Sequence, residues 1–213
     1  MQVADFSLYL ITDRHQTDGR PLFDVVRRSL EGGVRAVQLR SKDSSGADLY
    51  RMAVQLRRLT ADYDARLIVN DRPDVALAAD ADGVHVGVSS VTVIAARQIL
   101  GQGKIIGYSA HVLGEALCAQ EDGADFVTFS PVYNTPSKAA YGEPCGLKKL
   151  AATVAALKIP VIALGGISSV NIIETLSTGV RGIAVVSAIL TADDPRVAAV
   201  SLLKKIEEYA QRT

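Results

Sequence analysis

The sequence predicts a single (β/α)8 TIM barrel, and three observations carry that reading. Eight short apolar runs alternate with longer amphipathic segments along the whole chain. Glycine-led junctions recur where a segment hands over to the next run. Polar groups collect just past the ends of the runs. Runs too short for helices and nearly continuous in apolar character read as parallel strands covered on both faces. Strict alternation of strand and helix then places the helices outside a parallel sheet. A doubly wound open sheet is the alternative, although no GxGxxG follows the first run to support its dinucleotide-binding version.

The runs fall at 7–12 (SLYLIT), 36–40 (AVQLR), 66–70 (RLIVN), 83–86 (GVHV), 104–109 (KIIGYS), 126–129 (FVTF), 160–164 (PVIAL) and 182–186 (GIAVV). Between them, Leu22, Val25, Val26, Ser29 and Leu30 recur at helical spacing. So do Leu49, Met52, Ala53, Leu56 and Leu59, with Arg51, Gln55, Arg57 and Arg58 on other faces. A last helix over 196–211 is expected to bury Val200, Leu203 and Ile206. Gly33-Val34-Arg35-Ala36-Val37 is echoed by Gly123-Ala124-Asp125-Phe126-Val127 and by Gly179-Val180-Arg181-Gly182-Ile183, with Asp82-Gly83-Val84 as a shorter version. Each leading glycine suits the left-handed close of a helix, and the irregular spacing marks a repeated βα unit rather than a solenoid.

Length and composition narrow the reading. The 213 residues allow roughly 27 per βα unit, near the minimum for a strand, a helix and two turns, so one barrel over 1–213 leaves no room for a second domain. Lys plus Arg and Asp plus Glu both total 23, so no basic excess exists to neutralise nucleic-acid phosphates. The absence of Trp disfavours base-stacking platforms. No apolar stretch approaches the ~18 residues of a membrane span, and the N-terminus lacks the basic region of a signal peptide. Two cysteines, Cys118 and Cys145, make neither a zinc site nor a disulfide framework, which points to a reduced, cytoplasmic setting. The expected partners are small molecules, with no nucleic acid and no membrane; barrels of this size often associate as homo-oligomers.

In a barrel of this kind the active site lies at the C-terminal ends of the strands. There the sequence ends the second run in Gln38-Leu39-Arg40, with Lys42 and Asp43 beyond it, and the third in Asn70, followed by Asp71-Arg72. The fifth ends in Ser109, followed by His111, and Ser130 to Lys138 follow the sixth. Gly165-Gly166-Ile167-Ser168 follow the seventh, and the eighth ends in Val185-Val186, followed by Ser187. Bare glycine admits an anion to backbone N–H groups, and the loops after strands seven and eight are where barrels bind phosphate. Arg40, Lys42 and Lys138 supply cations, and Asp71 is a hard oxygen donor of the kind Mg²⁺ shares with substrate phosphates. Together they suggest a diphosphate. Asp71 could instead cap the helix that Pro73 opens. His85, inside a strand, is expected to pack within the barrel, whereas His111 could serve as an acid–base group. His15 carries little signal, Cys118 is expected to be buried within a helix, and Cys145 has no evident base beside it.

These stretches resemble the thiamine-phosphate synthase family and its close relatives, the thiazole tautomerases. The matching segments are LYLITDR (8–14), QLRSKD (38–43), NDRPDVAL (70–77), ADGVHVG (81–87), GYSAH (107–111), GADFVTFSPVYNTPSK (123–138), GLKKL (146–150), IPVIALGGIS (159–168) and VVSAI (185–189), in order along nearly the whole chain. The resemblance implies a transferase of thiamine biosynthesis that joins hydroxymethylpyrimidine diphosphate to thiazole phosphate with Mg²⁺, releasing diphosphate. By resemblance, Gln38, Arg40, Lys42, Asn70 and Lys138 bind the pyrimidine diphosphate, Asp71 holds Mg²⁺, and Ser109 contacts the pyrimidine side. Thr135, Ser137, Gly166, Val186 and Ser187 bind the thiazole phosphate. Arg40, Lys42, Ser109, Lys138 and His111 are the expected catalytic groups. One departure stands out. The synthases usually continue ADGVHVG with Gln-Glu-Asp, and that Asp supplies a second metal carboxylate; here the stretch is Val88-Ser89-Ser90. The loss keeps two alternatives open: a metal-independent tautomerase-like isomerase using His111, and a non-catalytic binder of thiazole or thiamine phosphate.

Overall fold

The computed structural model describes residues 5–135 and 143–212. Eight parallel strands follow the chain: β1 (Leu8–Ile11), β2 (Ala36–Leu39), β3 (Arg66–Asn70), β4 (Gly83–Val86), β5 (Ile105–Ala110), β6 (Phe126–Phe129), β7 (Val161–Leu164) and β8 (Gly182–Val185). They close in sequence order into a barrel, β1 pairing with β8 through Leu8↔Ile183 and Leu10↔Val185. The barrel is therefore confirmed and the open sheet set aside.

The apolar runs are continuous because both faces of each strand are covered. Tyr9, Ile68, Ile105, Phe126 and Ile162 fill the barrel interior. Their neighbours Leu8, Leu10, Val69, Ile106, Val127 and Ala163 pack outward against the helices. Gly107 makes room for the interior rings: a Cβ there would lie 2.4 Å from the Phe126 ring and 2.5 Å from His85 Nδ1.

Nine helices stand among the described residues: α1 (Leu22–Glu31), α2 (Gly46–Ala61), α3 (Pro73–Ala78), α4 (Val93–Leu100), α5 (Leu113–Glu121), α6 (Gly146–Ala156), α7 (Ile172–Leu176), α8 (Ser187–Leu190) and α9 (Pro195–Ala210). Helix α1 buries Val25, Val26, Ser29 and Leu30, and α2 buries Leu49, Ala53, Leu56 and Leu59, as their spacing predicts. Helix α9 buries Ile206 as expected but departs from expectation at Val200. It buries Ala199, Leu202 and Ile206, while Val200 is 49% exposed. The small residue sets its rotation: a Cβ on Gly32 would fall 2.8 Å from Ala199 Cβ, so α1 and α9 cross where neither has bulk. Cys118, expected to be buried, is exposed on α5. No helix among the described residues is long and apolar enough to cross a membrane.

The repeated junction is one hydrogen-bonded corner at the bottom of the barrel. Gly33, Gly123 and Gly179 have φ of 99°, 93° and 85°. Behind Gly33 and Gly123, the N–H of Val34 reaches Ser29 O and that of Ala124 reaches Ala119 O. This is the long bond of a Schellman close. Asp64 and Asp80 take the same position at φ 51° in the corners entering β3 and β4. Two further carboxylates tie these corners to the neighbouring strands. Asp82 accepts from Leu67 N–H at 2.8 Å, and Asp125 accepts from Ile106 N–H at 2.8 Å and from Arg97 at 2.7 Å.

Candidate active site

At the opposite, C-terminal end, the interior side chains turn polar. Inward-facing Gln38, Asn70, His85, Ser109 and Thr128 succeed the apolar residues one layer below, because residues two apart on a strand share a face. Gln38 is buried, and its Nε2 donates to Tyr9 Oη at 2.9 Å. Burial raises the Tyr9 pKa, with the Gln38 bond opposing it, so the phenol stays protonated.

Asp71 occupies the turn after β3 at φ 62°, a conformation rare for a residue with a side chain. Its N–H donates to His85 O at 2.9 Å, which ties the turn to β4. The carboxylate is held on both sides: Ser90 Oγ donates to Oδ1, and Asn70 Nδ2 donates to Oδ2 at 2.6 Å. Ser90 is fixed in turn by Gly87 N–H, which donates to its hydroxyl at 2.9 Å. Helix α3 takes no side-chain cap and begins with Pro73 at its N-terminus, so Asp71 does not cap it. The residue standing where a second carboxylate was expected therefore touches the first.

His85 is 2% exposed, packed against the rings of Tyr9 and Phe126. Burial lowers its pKa to about 4 despite the opposing pull of the Asp71 charge, so it is neutral at pH 7. Its Nε2 lies 3.0 Å from Ser109 Oγ and 3.2 Å from Thr128 Oγ1. His111, beyond β5, sets Nδ1 2.7 Å from Ser130 O, and its N–H donates to Glu115 at 2.7 Å. A carbonyl only accepts, so Nδ1 carries the hydrogen of that contact.

Arg40 and Lys42 lie on the loop after β2, Arg40 half-buried and Lys42 exposed. Arg40 stands 3.8 Å from Asp13 on the loop after β1. The two loops meet again where His15 and Arg14 pair with Asp43. These bonds, His15 first and Arg14 second, hold the Asp43 carboxyl well below the usual carboxylate range. His15, of little weight in the sequence, thus joins two mouth loops. Thr128 also escaped sequence reasoning; its even spacing from Phe126 on β6 was the available signal.

The loop after β6 docks on the end of β7. Val132 N–H donates to Leu164 O and Tyr133 N–H to Gly165 O. Gly165 and Gly166 adopt φ of 101° and 68°, and a Cβ on Gly166 would fall 2.8 Å from Tyr133 Cβ. These glycines therefore meet a packing need as well as leaving backbone bare. Thr135 is half-buried at the end of this stretch, while Ser137 and Lys138 lie outside the described residues. Val186 immediately precedes the extra one-turn helix α8, and exposed Ser187 opens it. Cys145 is partly buried at the start of α6, and burial pushes its thiol pKa up, away from nucleophilic use.

A closed barrel with its polar groups gathered at the C-terminal mouth defines a (β/α)8-barrel enzyme. The chain belongs to the thiamine monophosphate synthase family, whose profile matches residues 8–189. A provisionally named thiamine-phosphate synthase of Geobacter sulfurreducens is 55% identical over 203 residues, 95% of each chain. The thiamine-phosphate synthase of Desulfitobacterium hafniense strain Y51 is 42% identical over 94% of this chain and 97% of that one. The solved thiamine phosphate pyrophosphorylase from Pyrococcus furiosus superposes with a TM-score of 0.88 at 43% identity, covering 95% and 96% of the two chains.

Proposed function

We propose that this mouth carries out its family's reaction: it joins hydroxymethylpyrimidine diphosphate to thiazole phosphate, forming thiamine phosphate and releasing diphosphate. The observation that carries the reading is the carboxylate of Asp71, aimed by Asn70 and Ser90 at the rim that also bears Arg40 and Lys42. The curated relatives at 55% and 42% identity carry the synthase name, which favours this reaction over the isomerase and non-catalytic alternatives.

Gln38, Arg40, Lys42, Asn70 and Lys138 bind the pyrimidine diphosphate, and Ser109 contacts its pyrimidine side. Thr135, Ser137, Gly166, Val186 and Ser187 bind the thiazole phosphate. As the carbon–oxygen bond to diphosphate breaks, negative charge grows on the leaving group, so fixed cations stabilise the transition state more than the ground state. The thiazole nitrogen then supplies the electron pair for the new bond.

The donor set fits a metal shared with substrate rather than one caged by protein. Asp71 offers one carboxylate flanked by a hydroxyl and an amide, and no group of three metal-ligating His, Cys, Asp or Glu side chains occurs among the described residues. Mg²⁺ takes one or two carboxylates together with phosphate oxygens. Asp71 would hold it, and the ion when bound neutralises diphosphate charge. The two free cysteines fit a reduced, cytoplasmic setting.

The test is direct. With both substrates and Mg²⁺ the chain forms thiamine phosphate, and Asp71→Asn lowers the rate about 100-fold or more. No product at any Mg²⁺ concentration would overturn the reading.

A further inference from the structure

The one buried side-chain polar atom without a partner among the described residues is His85 Nδ1. It faces Gly107, where a Cβ would come within 2.5 Å, so the ring packs directly on bare backbone. The other ring nitrogen has two hydroxyls in reach, Ser109 Oγ at 3.0 Å and Thr128 Oγ1 at 3.2 Å. Thr128 in turn directs its hydroxyl toward Ser109 Oγ at 3.5 Å.

These contacts choose between the two neutral forms of the ring. With hydrogen on Nδ1, a buried N–H donor is orphaned, which costs about 1–3 kcal/mol. With hydrogen on Nε2, that donor is satisfied by Ser109 and Thr128, and only a lone pair at Nδ1 goes unused. Orphaned N–H groups are rarer in folded proteins than under-used acceptors. In the second form Ser109 Oγ accepts from below. Its own O–H then has no acceptor among the described residues and is left available to a ligand.

We propose that His85 is a positioning residue that fixes the Ser109 hydroxyl as a hydrogen-bond donor toward an acceptor atom of the pyrimidine diphosphate. The proposal rests on the functional reading above for its ligand, but not for the internal orientation. His85 touches no substrate; it acts through Ser109, with Thr128 as the second arm. The hydroxyl donor is aligned before substrate arrives, so no reorganisation is needed during reaction.

Two measurements test it. Two-bond ¹H–¹⁵N correlation on the labelled, unmodified chain reads the ring directly: Nε2 is expected protonated and Nδ1 bare, and the reverse overturns the proposal. Steady-state kinetics provide the second. His85→Met is expected to lower kcat about 10- to 100-fold, with KM for thiazole phosphate held within about twofold. His85→Gln, whose amide nitrogen reaches the same hydroxyls, is expected to recover most of that loss. Ser109→Ala is expected to match His85→Met, and the double variant to fall no further than Ser109→Ala alone. Losses that multiply in the double variant, or a Gln variant no better than Met, overturn the proposal. Should His85→Met fail to fold, the ring-nitrogen measurement and the Gln variant still decide. A chain with hydrogen on Nε2 that makes no thiamine phosphate overturns the functional reading and leaves the His85–Ser109 orientation standing.

Discussion

Ser90 donates its hydroxyl hydrogen to the carboxylate of Asp71, so the residue standing where a second carboxylate was expected supports the first. The substitution removes one negative charge from the rim without leaving Asp71 unsupported.

On the proposed reading, a carboxylate at position 90 is expected to tighten Mg²⁺ binding. Ser90→Asp is expected to lower the Mg²⁺ concentration for half-maximal synthase rate by about tenfold, because two carboxylates then face the ion. Titration of initial rate against Mg²⁺ checks this, and an unchanged midpoint would exclude Ser90 from the metal's surroundings. Ser90→Ala is expected to lower kcat more modestly, by releasing one side of Asp71.

Stability is expected to fall on the acid side of neutrality because of His85. Its folded pKa is lowered from 6.5 to about 4 by burial. The unfolded chain therefore binds a proton between those values that the folded chain refuses. The neutral ring's contribution is fully present above pH 6.5 and is lost as pH falls through 4, about 3 kcal/mol in all. Urea midpoints at pH 7 and pH 4.5 measure it. His85→Gln is expected to flatten the dependence over this window, and a slope that survives the change would assign the proton elsewhere.

Gly107→Ala is expected to destabilise the barrel by about 1–3 kcal/mol, because its Cβ would collide with the fully buried Phe126 ring. A lowered melting temperature checks this, and an unchanged one would mean that β5 shifts at little cost.

Asp125→Asn separates stability from chemistry. Asp125 is 5% exposed and accepts from Arg97 and from Ile106 N–H at the bottom of the barrel. Removing its charge leaves the largely buried Arg97 less well compensated, at an expected cost of about 2 kcal/mol or more. The kcat of the folded variant is expected to be unchanged, since the residue lies at the end of β6 opposite the mouth.

The barrel was legible because every strand is buried on both faces and each βα unit closes with its own turn chemistry. Strand ends agreed within a residue or two, as with 104–109 against Ile105–Ala110. What escaped the sequence depends on neighbours. Apolar residues occupy two faces of α9, and the close approach of Gly32 to Ala199 marks the one that is buried. The sequence placed Ser90 where a carboxylate is usual, but not the turn that carries its hydroxyl onto Asp71. Cys118 looked internal because its helix does; α5 turns that position outward. Helix α8 is too short to show any periodicity.

Seven of the eight strand pairings join neighbours in the sequence, whereas the eighth, β1 with β8, brings together the two ends of the chain. The eighth pairing therefore closes the longest loop and carries the largest closure entropy of the ring. Gly182 sits at that seam, where a Cβ would fall 2.3 Å from Ser7 O. A side chain at position 182 would therefore obstruct the closing pair, and Gly182→Ala is expected to slow refolding more than a substitution at a corner closed within a single βα unit.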